Sequence, residues 1–368
     1  MSGNPVLAVG RFSNDAERGI REAAAAVGMP AEFVSREAAR AVEEAPSAVV
    51  LPMGGRGAAE TCETLRGQVR LAGVPLLGLT EERKDLEFIE LYMLGGDDLV
   101  REGSADGLAR RLRGLVGASP SSGPRRQAST ALVASPDAGW RSVMGRALHA
   151  GGYEVRFFQS AEGLVEASMA DDVKVVVAAY DLTAEGAVGE AARARDLGSK
   201  AAWVVVAPPK KMASVNAAAA SLPRAAVADG YAPPENVLFL ANDLIASRGT
   251  DKRAAPRLLY GTAVSFRLAG RDADDVGFTY NVSEGGLYVR TLAPLDGGQD
   301  VWVDLWPPRS ERRVRLAGTV AWRRGFGSQG STVPPGFGVK IVDGLAGDLA
   351  KWQAGCRAFA KTMLGDAA

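Results

Sequence analysis

The hydrophobic pattern changes character once along the chain. Through the first two thirds it consists of short continuous apolar runs set between longer amphipathic stretches. Residues 6–9, 48–51 and 74–79 are such runs in a first block, and residues 131–134, 173–179 and 202–207 in a second. An unbroken run of this length is a strand buried on both faces, and strands of that kind alternating with helices build a parallel sheet covered on both sides. Helical spacing is predicted over residues 16–27, 105–116, 140–150 and 237–246. Beyond Leu258 the period becomes two. Val314, Leu316, Val320 and Trp322 share one face of a segment whose other face carries Arg313, Arg315, Thr319 and Arg323. Val301, Val303 and Leu305 repeat the pattern, as do Leu287 with Val289 and Val339 with Ile341. Five or six half-buried antiparallel strands separated by turn residues (294–298, 307–310, 334–336) predict a small β-barrel. A final helix carries Leu345, Leu349, Trp352, Cys356 and Phe359 at the 3.6 period, a stripe that packs either on the barrel or across a homodimer contact.

Composition sets the joints. Residues 118–130 are rich in Ser, Pro and Gly, with a basic pair at Arg125 and Arg126, and read as a flexible linker. Residues 248–257 form a shorter basic linker interrupted by Pro256. The expected organisation of the 368 residues is an α/β doubly wound domain over 1–117, a second over 131–247, and an antiparallel β-barrel with a C-terminal helix over 258–368. Lys plus Arg and Asp plus Glu number 43 each. With zero formal charge there is no overall field to draw the protein onto a nucleic acid polymer or an anionic membrane, so any anion must be caught by a local cluster. Two cysteines far apart, Cys62 and Cys356, and one histidine, His149, argue against a zinc site and a disulfide framework. Both cysteines are read as small buried hydrophobes. No apolar stretch approaches about 20 residues and no basic-plus-apolar leader follows the N-terminus, so a cytoplasmic protein without membrane insertion is expected.

Two motifs carry candidate chemistry. Arg253 and Arg257 form an RxxxR just ahead of the barrel. Pro256 disfavours a helix there and pushes Ala255 to extended geometry, which lets the two arginine Cα atoms lie up to about 13 Å apart. Two guanidinium groups so spaced can clamp a bulky planar anion, each forking onto a phosphate or onto the O6/N7 edge of guanine, or stacking on a base. The second motif is Asn281-Val282-Ser283-Glu284-Gly285-Gly286, an NxSxxG after residues 278–280. Asn281 supplies an acceptor for guanine N–H groups, Ser283 a small hydroxyl, and Gly285 and Gly286 a tight turn with accessible backbone N–H groups. Arg267, Arg290 and Arg315 are expected on a solvated strand face, adding to the positive surface there.

In this order around a barrel, the motifs make residues 252–359 resemble a PilZ domain, with support from Gly285 to Thr291, Val320 to Arg323 and Gly336-Phe337-Gly338-Val339. The resemblance implies a cyclic di-GMP site made by Arg253, Arg257, Asn281, Ser283, Gly285 and Gly286. Lys252 falls where this family sets whether one nucleotide or an intercalated pair binds, and its basic side chain points to two. Residues 74–116, with Leu79-Thr80 and Leu94-Gly95-Gly96-Asp97-Asp98, resemble the second half of a response-regulator receiver domain. Ala228-Asp229-Gly230-Tyr231 is a more distant version of the same loop in the second block.

Receiver phosphotransfer needs carboxylates for magnesium after the first strand and an aspartate nucleophile after the third. The first block has Gly10-Arg11 and Pro52-Met53 at those places, although Thr80 and Arg101 stand near the family's helper positions. The second offers Asp137 and a candidate phosphoacceptor, Asp181, but has Ala207-Pro208 and Pro233-Pro234 where the helpers belong. Both blocks are read as degenerate receivers. The resemblances imply a sensor, not an enzyme. It takes no cofactor, and its ligand is cyclic di-GMP, read out through domain rearrangement and contacts with protein partners or a second copy. At the level of the class they imply motility or another surface-associated output. Two other readings stay open: an interaction scaffold without nucleotide, and a response regulator phosphorylated at Asp181.

Overall fold

The structure is a computed structural model, and it describes residues 4–53, 57–68, 71, 74–81, 85–115, 129–246, 257–271, 274–326 and 333–364. The first sheet is parallel, with strands β1 (Val6–Val9), β2 (Ala31–Val34), β3 (Ala48–Pro52), β4 (Leu76–Thr80) and β5 (Asp98–Arg101) in the order β2-β1-β3-β4-β5. Helices α1 (Asn14–Ala25) and α4 (Ala105–Leu115) cover one face, and α2 (Ala58–Arg66) and α3 (Asp85–Met93) the other. The second sheet repeats this plan. Its strands are β6 (Thr130–Ala134), β7 (Glu154–Phe158), β8 (Val173–Ala179), β9 (Ala202–Ala207) and β10 (Ala225–Asp229), in the order β10-β9-β8-β6-β7. Helices α5 (Ala138–Ala150) and α9 (Asn236–Ala246) lie on one face, with α6 (Leu164–Ala167), α7 (Ala187–Asp196) and α8 (Pro209–Ala219) on the other. Counted from its own first strand, each sheet has the order 2-1-3-4-5; the doubly wound sheet is what the periodicity implied, and the flavodoxin-like order is what the receiver resemblance implied.

The last third is a closed antiparallel barrel. Strands β12 (Ala263–Leu268), β13 (Asp275–Ser283), β14 (Gly286–Arg290), β15 (Asp300–Leu305), β16 (Val314–Arg324) and β17 (Gly336–Gly344) form the ring β13-β12-β15-β16-β17-β14, closed by the β13–β14 pairing. A two-residue strand, β11 (Leu258–Leu259), adds to β13 beyond the end of β12. Helix α10 (Asp348–Leu364) closes the barrel end and settles the stripe of the last helix on the barrel. Trp352 is 0% exposed in the barrel core, its Nε1 donating to the carbonyls of Ser283 and Glu284 at 3.2 Å each. Cys356 lies beside it, and burial pushes its thiol up to about 12. Cys62 is buried in the first core and raised to about 11 for the same reason. Both are inert small hydrophobes.

The barrel and the first α/β domain share one core. Ala263, Val276 and Phe278 of the barrel join Phe88, Leu91 and Tyr92 of α3 in a single cluster, with the Phe278 ring stacked on Phe88 at 5.3 Å and edge-on to Tyr92 at 5.8 Å. Next to this apolar seam lies a buried ion triad. Arg111 on α4 donates through Nε to Asp98 and through Nη1 to Asp275, both at 2.8 Å, and through Nη2 to the Val276 carbonyl at 2.6 Å. Asp98 also accepts from the Thr291 hydroxyl at 2.9 Å and the Leu292 amide at 2.7 Å. Burial opposes ionisation of Asp275, but the guanidinium groups of Arg111 and Arg110 outweigh it and hold the pKa below the ordinary carboxylate value of 3.8.

Replacing Asp98 with Ala strands a buried guanidinium, and the expected loss of unfolding free energy is about 3–5 kcal/mol in urea denaturation of the full chain. A loss below about 1 kcal/mol, the scale of an exposed pair, would contradict the shared core. Because folding lowers the Asp275 pKa, its contribution is complete above pH 3.8 and is lost as pH falls through the lower folded value. Asp275→Asn should flatten that acid limb of the stability profile.

Candidate ligand-binding face of the barrel

The end of the first motif adjoins the strand of the second. Leu258 pairs with Val282 and Leu259 with Asn281, and Arg257 immediately precedes β11. Val282 is 0% exposed in the barrel core, which places Asn281 and Ser283 on the opposite face of β13. Arg257 is exposed. Lys252 and Arg253 lie outside the described residues, as does most of the predicted linker 118–130. Asn281 is 8% exposed, and its side-chain amide makes no hydrogen bond among the described residues. Its polar edge is therefore uncommitted at the mouth of the face. Ser283 Oγ donates to the Gly286 carbonyl at 3.3 Å.

The turn between β13 and β14 is held from below by α10. Besides the Trp352 bonds to its carbonyls, Arg357 Nη1 donates to Glu284 Oε2 at 2.6 Å. The two glycines after Glu284 have different reasons to exist. A Cβ at Gly286 would stand 2.5 Å from the Val339 carbonyl oxygen, because β14 and β17 approach closely there. A Cβ at Gly285 would meet nothing within 4 Å, and its φ is not in the left-handed region. Glu284 and Gly285 form the tight turn expected there, but only Gly286 requires a glycine, for the close approach of β14 to β17.

One side chain of this face was placed wrongly by strict alternation. The β16–β17 register shifts between Val320 and Trp322, and the extra residue turns Trp322 away from the core face it was expected to share with Val320. Trp322 lies outside, 38% exposed, stacked on Tyr288 at 4.9 Å with 24° between the rings. Gly338 makes room beneath it, since a Cβ there would come within 2.6 Å of Trp322 Nε1. Tyr288 is the cross-strand partner of Asn281. An aromatic plane therefore stands beside the Asn281 amide, and a GxG across from a Trp with one intervening extra residue was the only sequence signal for it.

Arg290 is corrected outright. It is 4% exposed, not solvated, with Nη2 on Glu235 at 2.6 Å and its guanidinium 3.3 Å from the centroid of the Tyr92 ring. Burial works against its charge, but Glu235 outweighs burial and raises the pKa. Arg315 is offset by Asp304 at 3.0 Å, and Arg267 is half-buried.

The phosphotransfer positions of the α/β domains are occupied otherwise. Gly10 and Arg11 follow β1 and Pro52 ends β3, while Thr80 Oγ1 donates to Glu87 at 2.6 Å. Asp181 is exposed just beyond β8. The one carboxylate on offer to it, Asp137, serves as the N-cap of α5 and accepts from the Trp140 amide at 3.0 Å. Among the described residues no group of three or more His, Cys, Asp or Glu side chains could hold a metal ion, and no helix is long and apolar enough to cross a membrane.

A family model matches this barrel. Residues 251–356 match the family model described as PilZ domain. No curated protein matches the chain. Among solved structures, the inhibitor of motility MotI/DgrA from Bacillus subtilis is similar at 20% identity over 32% of this chain and 54% of its own, with a TM-score of 0.25. This chain thus spans about half the length of that protein. The PilZ domain of CeSA from a cellulose-synthesizing bacterium is similar at 16% identity over 30% of this chain and 98% of its own, TM-score 0.21. A probable two-component system response regulator/GGDEF domain protein is similar at 16% identity over 66% and 98%, TM-score 0.31.

The glycine pair gives a direct check on the face. Gly286→Ala is expected to cost about 1–3 kcal/mol in thermal or urea unfolding through overpacking against β17. Gly285→Ala should stay within about 0.5 kcal/mol of the parent protein. Equal effects of the two substitutions would refute the register described here.

Proposed function

We propose that this chain, whose residues 251–356 form a PilZ domain, binds cyclic di-GMP on the outward face of β13 and acts as a non-catalytic signalling adaptor. The observation that carries the reading is the pairing of β11 with β13, which brings the exposed Arg257 next to the strand bearing Asn281 and Ser283, beside the half-exposed Trp322 stacked on buried Tyr288. In this reading Arg257 and Arg253 fork onto phosphate oxygens or the guanine O6/N7 edge. The uncommitted Asn281 amide takes the guanine N–H edge, and Ser283 and the backbone at Gly285 and Gly286 fix the nucleotide against the turn. Trp322 offers its free plane to a base. Lys252, ahead of the first arginine, favours an intercalated pair of nucleotides over one.

The ligand supplies interaction free energy to a segment that joins the second α/β domain to the barrel, so its binding is coupled to the seating of that domain. Protein partners, or a second copy of the chain, read the change on the α/β domains, with no cofactor required. The output we assign is motility or another surface-associated behaviour, at the level of the class. Phosphorylation at Asp181 is disfavoured, since its neighbouring carboxylate caps α5 and prolines stand where the helper residues belong.

Isothermal titration of the full chain with cyclic di-GMP tests the reading. Micromolar or tighter binding is expected, weakened roughly 10- to 100-fold in Arg253→Ala, Arg257→Ala or Asn281→Ala, the scale of one lost charge-assisted or buried polar contact. Absence of heat at high protein concentration would sink it.

A further inference from the structure

We infer that β7, the open edge of the second α/β domain, is a self-complementary surface through which two copies of this chain pair strand to strand. Among the described residues β7 is bonded on one side only, to β6. Its residues Glu154, Arg156 and Phe157 are exposed, Phe157 at 54%, and Val155 and Phe158 are half-buried. Edge strands are ordinarily blunted by a bulge, a proline or repelling charge. β7 has none of these. Its register against β6 is unbroken from Glu154 to Phe158, and its two charges are of opposite sign.

The backbone fixes which residues can bond a partner. The Glu154 amide donates to the Ser129 carbonyl at 3.0 Å, and the Phe158 carbonyl accepts from the Ser135 amide at 3.1 Å. Glu154, Arg156 and Phe158 therefore turn their N–H and C=O groups to β6, and Val155 and Phe157 turn theirs to the open edge. A partner strand related by a two-fold axis must meet that outward set, which leaves few registers. Centred on Glu154 or on Arg156, the pairing sets like charges face to face. Centred on Phe157, it sets Arg156 against the partner's Phe158. Centred on Val155, it sets Glu154 opposite the partner's Arg156 twice over, with Phe157 opposite the partner's Tyr153. Only this last register joins both charges. Its axial Val155 pair exchanges two N–H···O=C bonds at a Cα separation of about 5.5 Å.

The side chains are placed for it. Phe157 and Val155 lie on the α5 face, where Gly145 gives them room, since a Cβ there would stand 2.5 Å from Phe157 Cζ. In the single copy Phe157 keeps more than half its surface in water, apolar area that a partner strand covers. Glu154 has no ionic partner among the described residues. Arg156 keeps one contact, to Asp172 at 3.3 Å, with 55% of its side chain exposed, which leaves guanidinium donors for a second carboxylate. The other open edges cannot pair in this way. β2 carries one charge, Glu32, and β10 one, Asp229, so neither can set opposite charges against itself. Paired at β7, the two five-stranded sheets become one continuous sheet. A second copy of the chain is the partner this edge fits, and its residues take no part in the proposed nucleotide face.

Sedimentation velocity of the full chain without nucleotide, over a concentration series, tests the pairing separately from the cyclic di-GMP reading. So short a contact predicts a reversible dimer with a dissociation constant on the order of micromolar. Glu154→Arg and Arg156→Glu should each weaken it roughly tenfold or more, because each opposes like charges at both ends of the pair. An equimolar mixture of the two variants should recover the dimer, since every charge then faces its opposite, as should the double variant E154R/R156E. Val155→Pro removes an N–H that points to the open edge and not to β6, so it should abolish pairing with the fold intact by circular dichroism. A parent protein that stays monomeric at sub-millimolar concentration overturns the inference. So does a dimer unaffected by either charge reversal or by Val155→Pro, and so does a mixture of the two reversed variants that remains monomeric.

Discussion

Two adjacent carboxylates at the entry to β5, the partly buried Asp97 and the buried Asp98, tie the three parts of this protein together. Asp98 is 0% exposed and bound by Arg111, Thr291 and Leu292, which fastens the edge of the first sheet to the barrel. Asp97 accepts from Arg66 at 3.1 Å and the Leu76 amide at 2.8 Å within the first α/β domain, and from Arg146 of the second at 2.7 Å. Burying such charges is costly unless each oxygen finds donors, and here both carboxylates do. The order of the parts follows: the barrel and first α/β domain are fused through a shared core, and the second is pinned to both at fewer points.

That fusion explains what the first α/β domain is for. It has no nucleophile after β3, and its α3 face, with Phe88 and Tyr92, is spent as the barrel's outer packing layer. In the second domain the positions where a receiver resemblance implied phosphotransfer chemistry serve structural ends. Asp137 caps a helix, and the loop after β10 docks on β13. In both cases the doubly wound scaffold persists because its sheet and helices bury a core regardless of whether phosphotransfer survives.

How much of this was legible in the sequence depended on how many faces each strand shows to water. The central strands β1, β3, β4, β6, β8 and β9 read directly, being buried on both sides. The edge strands β2 and β7 are half-exposed and left no unbroken apolar run, and β10 left only a short run of small residues, Ala225 to Ala228. In the barrel, β15 and β16 alternate cleanly, but β12 and much of β13 do not, because their outer faces lie against the first α/β domain and the period of two vanishes. Among the candidate site residues, Asn281, Ser283 and Gly286 were readable as a motif. Trp322 was hidden by a bulge that no local residue type announces, and Arg290 by a partner 55 positions away in sequence. Long-range pairing is the information that a single pass along the chain lacks.

The unequal quality of the two seams decides where ligand free energy can be expressed. Moving a two-state equilibrium from mostly one form to mostly the other takes about 5.5 kcal/mol of differential affinity. Under the function proposed above, two arginines making charge-assisted contacts with the nucleotide would supply roughly 1.5–3 kcal/mol each, which is of that size. Parting the first α/β domain from the barrel would require breaking both the Arg111 triad and the Phe88–Phe278 stack, well beyond that sum. The second α/β domain is held by the Glu235–Arg290 and Arg146–Asp97 ion pairs, a hydroxyl contact and an aromatic edge, without a shared apolar core of the kind that joins the first to the barrel. Under the function proposed above, a nucleotide on β13 would therefore act on the second domain, with the first as the fixed frame against which that movement is read.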